Sequence, residues 1–163
     1  MTQPIDGRYV HKIVDRNVLL GRVDRHGGDD CESYEAEMVV DRTHPFFFEH
    51  PLDHIPAMML VEAGRQLGIA ISHLYLGVPL GTMFATKSFD IRFTDFADTD
   101  RPVIITASLR DKQYRHGDLF QLYLEGRFSQ DGHDVGWMGG SWAMLQPDVW
   151  RRYRRRERQR VRA

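Results

Sequence analysis

The sequence predicts an α+β domain in which one long, largely apolar helix is wrapped by an antiparallel sheet. Three observations predict it. Residues 57–76 carry the chain's one long run of apolar residues at three- and four-residue steps. After residue 82 the period changes to that of strands and stays there as far as residue 145. Turn signals, Asp131-Gly132 among them, divide that second half at hairpin distances. A helix that is apolar on most of its faces belongs inside a sheet.

Taken in order, residues 8–20 read as an opening strand or extended arm. Residues 22–33 include Gly27-Gly28-Asp29-Asp30, a turn or loop. Residues 34–41 begin in alternation and predict a strand. Residues 42–76 hold a proline-broken loop, rich in aromatics and histidines from His44 onward, and then the helix. Pro56 suits its first turn, and Asp53 is placed to cap it. Met59, Leu60, Ala63, Leu67, Ala70, Ile71 and Leu74 supply the helical spacing, and Gly77-Val-Pro-Leu-Gly81 ends it. Strands follow at 82–94, 102–114, 118–129 and 134–145, with hairpins at Tyr114–Asp118 and Gln130–His133. No second long helix, repeat or interior linker is predicted. This is the hotdog arrangement. Its open sheet edge and incompletely covered helix face predict a homodimer.

At 163 residues the chain is most simply one domain, and 42% hydrophobic with 28% charged residues is the balance of a soluble globular protein. No apolar run reaches the roughly 18–20 residues of a membrane span. The N-terminus lacks a secretory pattern, and Cys31, the single cysteine, permits neither an internal disulfide nor a thiolate zinc cluster, so a bacterial-type cytoplasm fits. The net charge of −1 conceals an asymmetry: residues 150–163 hold eight Arg and one Glu, +7, which leaves −8 for residues 1–149. The expected division is a hotdog domain at 1–149 and an Arg-rich tail at 150–163. The tail reads either as a solvated segment or as a docking element for an acidic partner, such as a carrier protein or the phosphates of coenzyme A. No recognition motif accompanies the charge, which argues against nucleic acid.

Candidate chemistry lies on the helix. At 3.6 residues per turn, Glu62, Arg65 and Gln66 share one face among apolar or small neighbours. Desolvation raises a carboxylate's pKa and suits it to proton transfer, whereas Arg65 one turn on would hold Glu62 ionised. Arg65 can also bind a phosphate or an acyl carbonyl. The plainer alternative is an ion pair that only orders the helix. His50 is the candidate second proton-transfer group, or else a loop histidine capping backbone groups. His44 and His54 are lesser candidates. The prolines keep the three histidines off any common face, so no metal is expected. Phe46, Phe47 and Phe48, with Met58 and Met59, either line a channel for an acyl chain or pack in the core. Gly64 and Gly68 cost the helix about 1 kcal/mol each, so the sheet backbone or a thin ligand approaches closely there. Gly139-Gly140 permits similar approach.

The central stretch resembles two related groups of hotdog proteins. It is similar to the β-hydroxyacyl-carrier-protein dehydratases in Pro45-Phe46-Phe47, His50, Pro56, Glu62-Ala63 and Gln66. Its shorter gap from His50 to Pro56, and Arg65 in place of a small residue, depart from that group. It resembles the A-factor biosynthesis (AfsA-type) hotdog domains more fully, in His44-Pro-Phe-Phe47, Glu62-Ala-Gly-Arg-Gln66, Gly77-Val-Pro-Leu-Gly81 and the opening Val10-His11-Lys12. This resemblance implies acyl-thioester processing in specialised metabolism, with catalytic Glu62, His50 and Arg65 and substrate-binding His44, Phe47, His54 and Gln66. It implies no cofactor beyond the phosphopantetheine of an acyl carrier protein or coenzyme A that carries the substrate. Members of the family join a β-ketoacyl thioester to a three-carbon phosphate, typically with two hotdog units in one chain where this one has a single unit. Three readings stay open: that transfer, dehydration of a β-hydroxyacyl thioester, and a non-catalytic acyl-binding or scaffold protein.

Overall fold

The structure, a computed structural model, describes residues 2–27 and 32–160, the last two of these as backbone only. Part of the expected glycine-aspartate turn (28–30), Cys31 and the last three tail residues lie outside the described residues. Two 3₁₀ turns, Gly7–Val10 and Asp15–Asn17, precede strands β1 (Leu20–His26) and β2 (Ser33–Met38). Helix α1 (Ala57–Tyr75) follows, then β3 (Met83–Phe93), β4 (Ile104–Arg115), β5 (Asp118–Gln130), β6 (His133–Leu145) and a second helix, α2 (Pro147–Arg160). All strand pairs are antiparallel, in one six-stranded sheet of order β1-β2-β4-β5-β6-β3. No helix among the described residues is long and apolar enough to cross a membrane.

The sheet's inner face holds α1. Met59, Ala63, Leu67, Ala70 and Ile71 are fully buried on it, as are Leu122, Leu124 and Phe128 of β5 across from it. The two helical glycines mark where this packing is tightest. A Cβ on Gly64 would stand 2.4 Å from the Met138 sulfur, and one on Gly68 would stand 3.3 Å from the Trp142 ring. Side chains of β6 therefore occupy the space, where sheet backbone or a thin ligand was expected. Between β5 and β6, Asp131 (φ 50) and Gly132 (φ 80) make the tight turn that their sequence predicts.

Three expectations need correction. The opening segment is not extended up to Leu20. The Asp6 carboxylate accepts from the Arg8 N–H (2.9 Å), and the Lys12 N–H closes on the Gly7 carbonyl (2.8 Å), which winds residues 6–12 into a turn. Asp53 does not cap α1. The helix starts after an extended Pro56 with no side-chain cap, while the Asp53 carboxylate meets His54 Nδ1 at 2.9 Å. Finally, a second helix does form. Pro147 occupies its first position, Asp148 favours its N-terminus and pairs with Arg152 at 2.9 Å, and arginine is a strong helix former, so the expected boundary at residue 150 falls inside α2.

Candidate active site

The polar face of α1 meets the two opening turns and the loop at His44. Gln66 is the pivot and is fully buried. Its Oε1 accepts the Leu19 N–H (2.9 Å), and its Nε2 donates to the Asn17 carbonyl (2.8 Å) and to Glu62 Oε1 (3.0 Å). Both backbone partners fix the amide's orientation, because an N–H only donates and a carbonyl only accepts. Gln66 thus ties the segment at residues 17–19 to the helix and holds Glu62 in place.

Glu62 receives two cations as well. Arg65 places Nε 2.8 Å from Oε2 and Nη2 2.8 Å from Oε1, a two-point fork. Lys12 brings its ammonium to 2.7 Å from Oε1. Sequence reasoning sets desolvation against Arg65, and the geometry decides between them. Burial pushes the Glu62 carboxyl upward more than any other single influence. The hydrogen bonds from Arg65, Lys12 and Gln66 together outweigh it and hold the carboxyl at about 2.

His44 is buried, at 4% exposure. Its Nδ1 accepts the N–H groups of Phe46 (3.2 Å) and Phe47 (3.4 Å). Its Nε2 must then carry the hydrogen, and it lies 2.9 Å from Asn17 Oδ1. Both nitrogens are engaged, so His44 shapes the loop. Lys12, Asn17, His44, Phe46, Phe47 and Met58 surround a cavity of about 370 Å³ with Glu62 in its wall. One side of it is aromatic and apolar, the other ionic. Of the expected channel residues, Phe46, Phe47 and Met58 line this cavity, Met59 is in the core and Phe48 packs against it.

The structure brings Glu62, Arg65, Gln66, His44 and Phe47 together and leaves two candidates apart. His50 is exposed and lines neither this cavity nor the next. His54 helps line a second, more apolar cavity of about 330 Å³ with Ile55, Leu60, Phe93, Phe96 and Ala97. Lys12 and Asn17 belong to the site without having been assigned a role in the sequence pattern. Lys12 had one signal, the Val10-His11-Lys12 opening; Asn17 had none.

A six-stranded antiparallel sheet wrapped on one long helix, whose half-buried ionic face lies beside a cavity, defines a protein of the hotdog fold. Residues 1–146 match the A-factor biosynthesis hotdog domain, and the chain belongs to this AfsA family. A 2-oxo-3-(phosphooxy)propyl 3-oxoalkanoate synthase of Streptomyces virginiae is 30% identical over 107 residues, 66% of this chain and 32% of that one. A protein of the same name from Streptomyces coelicolor is 37% identical over 71 residues, 44% of this chain and 20% of that one. The matched region thus spans a third or less of these relatives' length. Among solved structures, the protein yhdA of Lactococcus lactis superposes with a TM-score of 0.63 at 9% identity, covering 83% of this chain and 98% of that one. A thioesterase of Streptococcus pneumoniae with coenzyme A superposes at 0.51 and 12% identity, covering 77% and 90%. At these identities the structures establish the fold alone.

Proposed function

We propose that this chain is an enzyme that moves a β-ketoacyl group from a carrier protein or coenzyme A onto the hydroxyl of a small phosphorylated acceptor. The observation that carries this reading is the state of Glu62. Arg65 at two points, Lys12 and Gln66 together hold its carboxyl well below the ordinary value, so it stays ionised at neutral pH. Dehydration would ask Glu62 to give a proton to a leaving hydroxyl, and a permanent carboxylate does this poorly. Transfer asks for something else. Arg65 and Lys12 bring two positive charges to one carboxylate, an excess of cation that suits an acceptor's phosphate and a developing oxyanion. The names of the Streptomyces relatives describe such a product, an oxoalkanoate ester of a phosphooxypropyl group.

The acyl chain is assigned to the cavity beside Phe46, Phe47 and Met58. Helix α2 presents Arg151, Arg152, Arg154, Arg155, Arg156 and Arg158 and supports docking of an acidic carrier. A second copy, joined along the β3 edge where Met83 and Phe93 are exposed, would supply the second hotdog unit that family members typically have in one chain. A cytoplasmic location fits these substrates. The test is to incubate the protein with β-ketoacyl and β-hydroxyacyl thioesters, with and without dihydroxyacetone phosphate, and to identify products by mass spectrometry. A phosphorylated ester formed only in the presence of acceptor supports the reading. Loss of water, simple hydrolysis or no reaction overturns it.

A further inference from the structure

The polar groups in the wall of the Glu62 cavity are unequally used. Glu62 is filled as an acceptor. Its Oε1 receives Arg65 Nη2 (2.8 Å), Gln66 Nε2 (3.0 Å) and Lys12 Nζ (2.7 Å), and its Oε2 receives Arg65 Nε (2.8 Å). A carboxylate has roughly four lone-pair sites, and these donors occupy them. His44 is filled as well, since Nδ1 accepts from the Phe46 and Phe47 N–H groups and Nε2–H faces Asn17 Oδ1 at 2.9 Å.

Donors remain. The Lys12 ammonium carries three hydrogens, of which Glu62 takes one. Asn17 is pinned elsewhere: its N–H meets the Val14 carbonyl (3.0 Å), its own carbonyl accepts from Gln66 Nε2 (2.8 Å), and its Oδ1 accepts from His44. The amide cannot be turned round, because only its oxygen can meet the His44 hydrogen. Nδ2 is therefore left over, and among the described residues nothing accepts from it. Asn17 and Lys12 both line the cavity, together with Phe46, Phe47 and Met58. The group that fits has oxygens that accept, no hydrogen to give, and an apolar flank. A β-ketoacyl thioester answers to this, since both its oxygens are carbonyls. A β-hydroxyacyl thioester does not, because its O–H would face donors and a filled carboxylate.

We propose that Asn17 selects β-ketoacyl substrates, its Nδ2 donating to the ketone oxygen, and that His44 is the positioning residue that holds the amide in that orientation. The proposal rests on the transfer reading's placement of the acyl chain in this cavity. Charge divides the two substrate oxygens between the two donors. The ketone stays neutral throughout and suits a neutral amide, whereas the thioester oxygen gains charge during transfer and suits the Lys12 ammonium. An acceptor's phosphate is fully charged and belongs with the cations for the same reason. Orientation begins at the Phe46 and Phe47 N–H groups, passes through the His44 ring and ends at Asn17. The loop that borders the acyl chain thus also fixes the group that reads its β position.

The test is calorimetric binding of amide analogues of β-ketoacyl, β-hydroxyacyl and plain acyl pantetheine of one chain length, in which nitrogen replaces the reactive sulfur. Wild type should bind the β-keto analogue roughly tenfold tighter than either of the others, the usual effect of one well-placed hydrogen bond. Asn17→Asp keeps the acceptor for His44 and replaces the donor by oxygen, and Asn17→Ala removes both. In each the preference should vanish while the plain analogue binds within about twofold of wild type, a ratio that misfolding would not spare. His44→Asn still offers an oxygen to the Phe46 and Phe47 N–H groups and should lose the preference. His44→Gln, with an amide nitrogen in place of Nε2, should regain part of it. With a carbon-13 label at the ketone, the wild-type complex should show that carbon moved downfield, and an unmoved resonance overturns the proposal without any variant. Equal binding of the three analogues by wild type overturns it too, as does an Asn17→Asp protein that keeps the preference; ester formation by the wild type would leave the transfer reading standing in either case. A raised KM for dihydroxyacetone phosphate in Asn17→Asp, with the keto preference intact, gives the amide to the acceptor and also overturns it. Selective binding of the β-keto analogue by a protein that forms no ester sinks the transfer reading alone.

Discussion

The two sides of α1 are held by opposite physics. Toward β6 the contact is dry and shape-determined, with Gly64 and Gly68 making room for Met138 and Trp142. Toward the opening turns it is polar, and Gln66, Glu62 and Arg65 bind backbone groups and a lysine from residues far away in sequence. One side has no charge to lose, and its energy is removed by deleting volume. The other has little volume at stake, and its energy is removed by deleting a partner or a charge. The difference teaches that the helix is anchored on one side so that the other can stay ionic.

If that division holds, the largest loss of stability comes from the dry side. Trp142 is 2% exposed and packs on Gly68 and on Phe89, with ring centroids 6.0 Å apart. Trp142→Ala should cost about 3–5 kcal/mol in urea unfolding. The Glu62 side chain should still read as ionised in a carboxylate titration, and a loss of that ionisation would show that the two sides are one unit.

Next comes Gln66→Leu, which keeps the volume and orphans the Leu19 N–H and the Asn17 carbonyl. We expect a cost of about 2–3 kcal/mol, together with faster hydrogen exchange at the Leu19 amide. An unchanged exchange rate there would mean that the 17–19 segment is held by something other than this amide.

Glu62→Gln should matter less to stability, and in a pH-dependent way. The carboxyl's folded value, about 2, lies below its ordinary 4.5. Its contribution is therefore present in full above about 4.5 and is lost as pH falls through about 2. The urea midpoints of wild type and variant should converge as pH is lowered across that window and stay apart at neutral pH. Turnover should fall roughly a hundredfold or more, because the oriented Arg65 and Lys12 lose their shared anchor.

The same division explains what the sequence could show. Glu62, Arg65 and Gln66 were legible because helical spacing alone puts them on one face, and a helix otherwise apolar makes them conspicuous. The strands of the second half were legible from alternation and from turn residues that are needed locally. The opening turns were not, because side-chain–backbone bonds such as that from the Arg8 N–H to the Asp6 carboxylate wind them against an apolar-looking pattern. Asn17 was invisible for a different reason. Its carbonyl meets Gln66 across 49 residues of chain, and no local pattern announces such a contact. The loop histidines drew attention by crowding, yet they part in space: His44 lines the cavity beside Glu62 with both ring nitrogens engaged, His50 is exposed and His54 lines the other cavity. Crowding in sequence says nothing about direction in space.

The smallest predicted effect probes the dry side most finely. Gly68→Ala gains about 1 kcal/mol of helix propensity, because alanine gives up less backbone freedom than glycine. Against this, the new Cβ would lie 3.3, 3.4 and 3.5 Å from three ring atoms of Trp142, so the indole must shift by a few tenths of an ångström. The indole has little room, since a Cβ placed on Gly140 would already be 2.6 Å from the same ring. The two effects nearly cancel, and we expect Gly68→Ala to destabilise by less than about 1 kcal/mol. In a Trp142→Phe background the crowding disappears and the propensity remains, so the same substitution should there become stabilising. A sign that does not change between backgrounds would mean that the indole is not what keeps residue 68 a glycine.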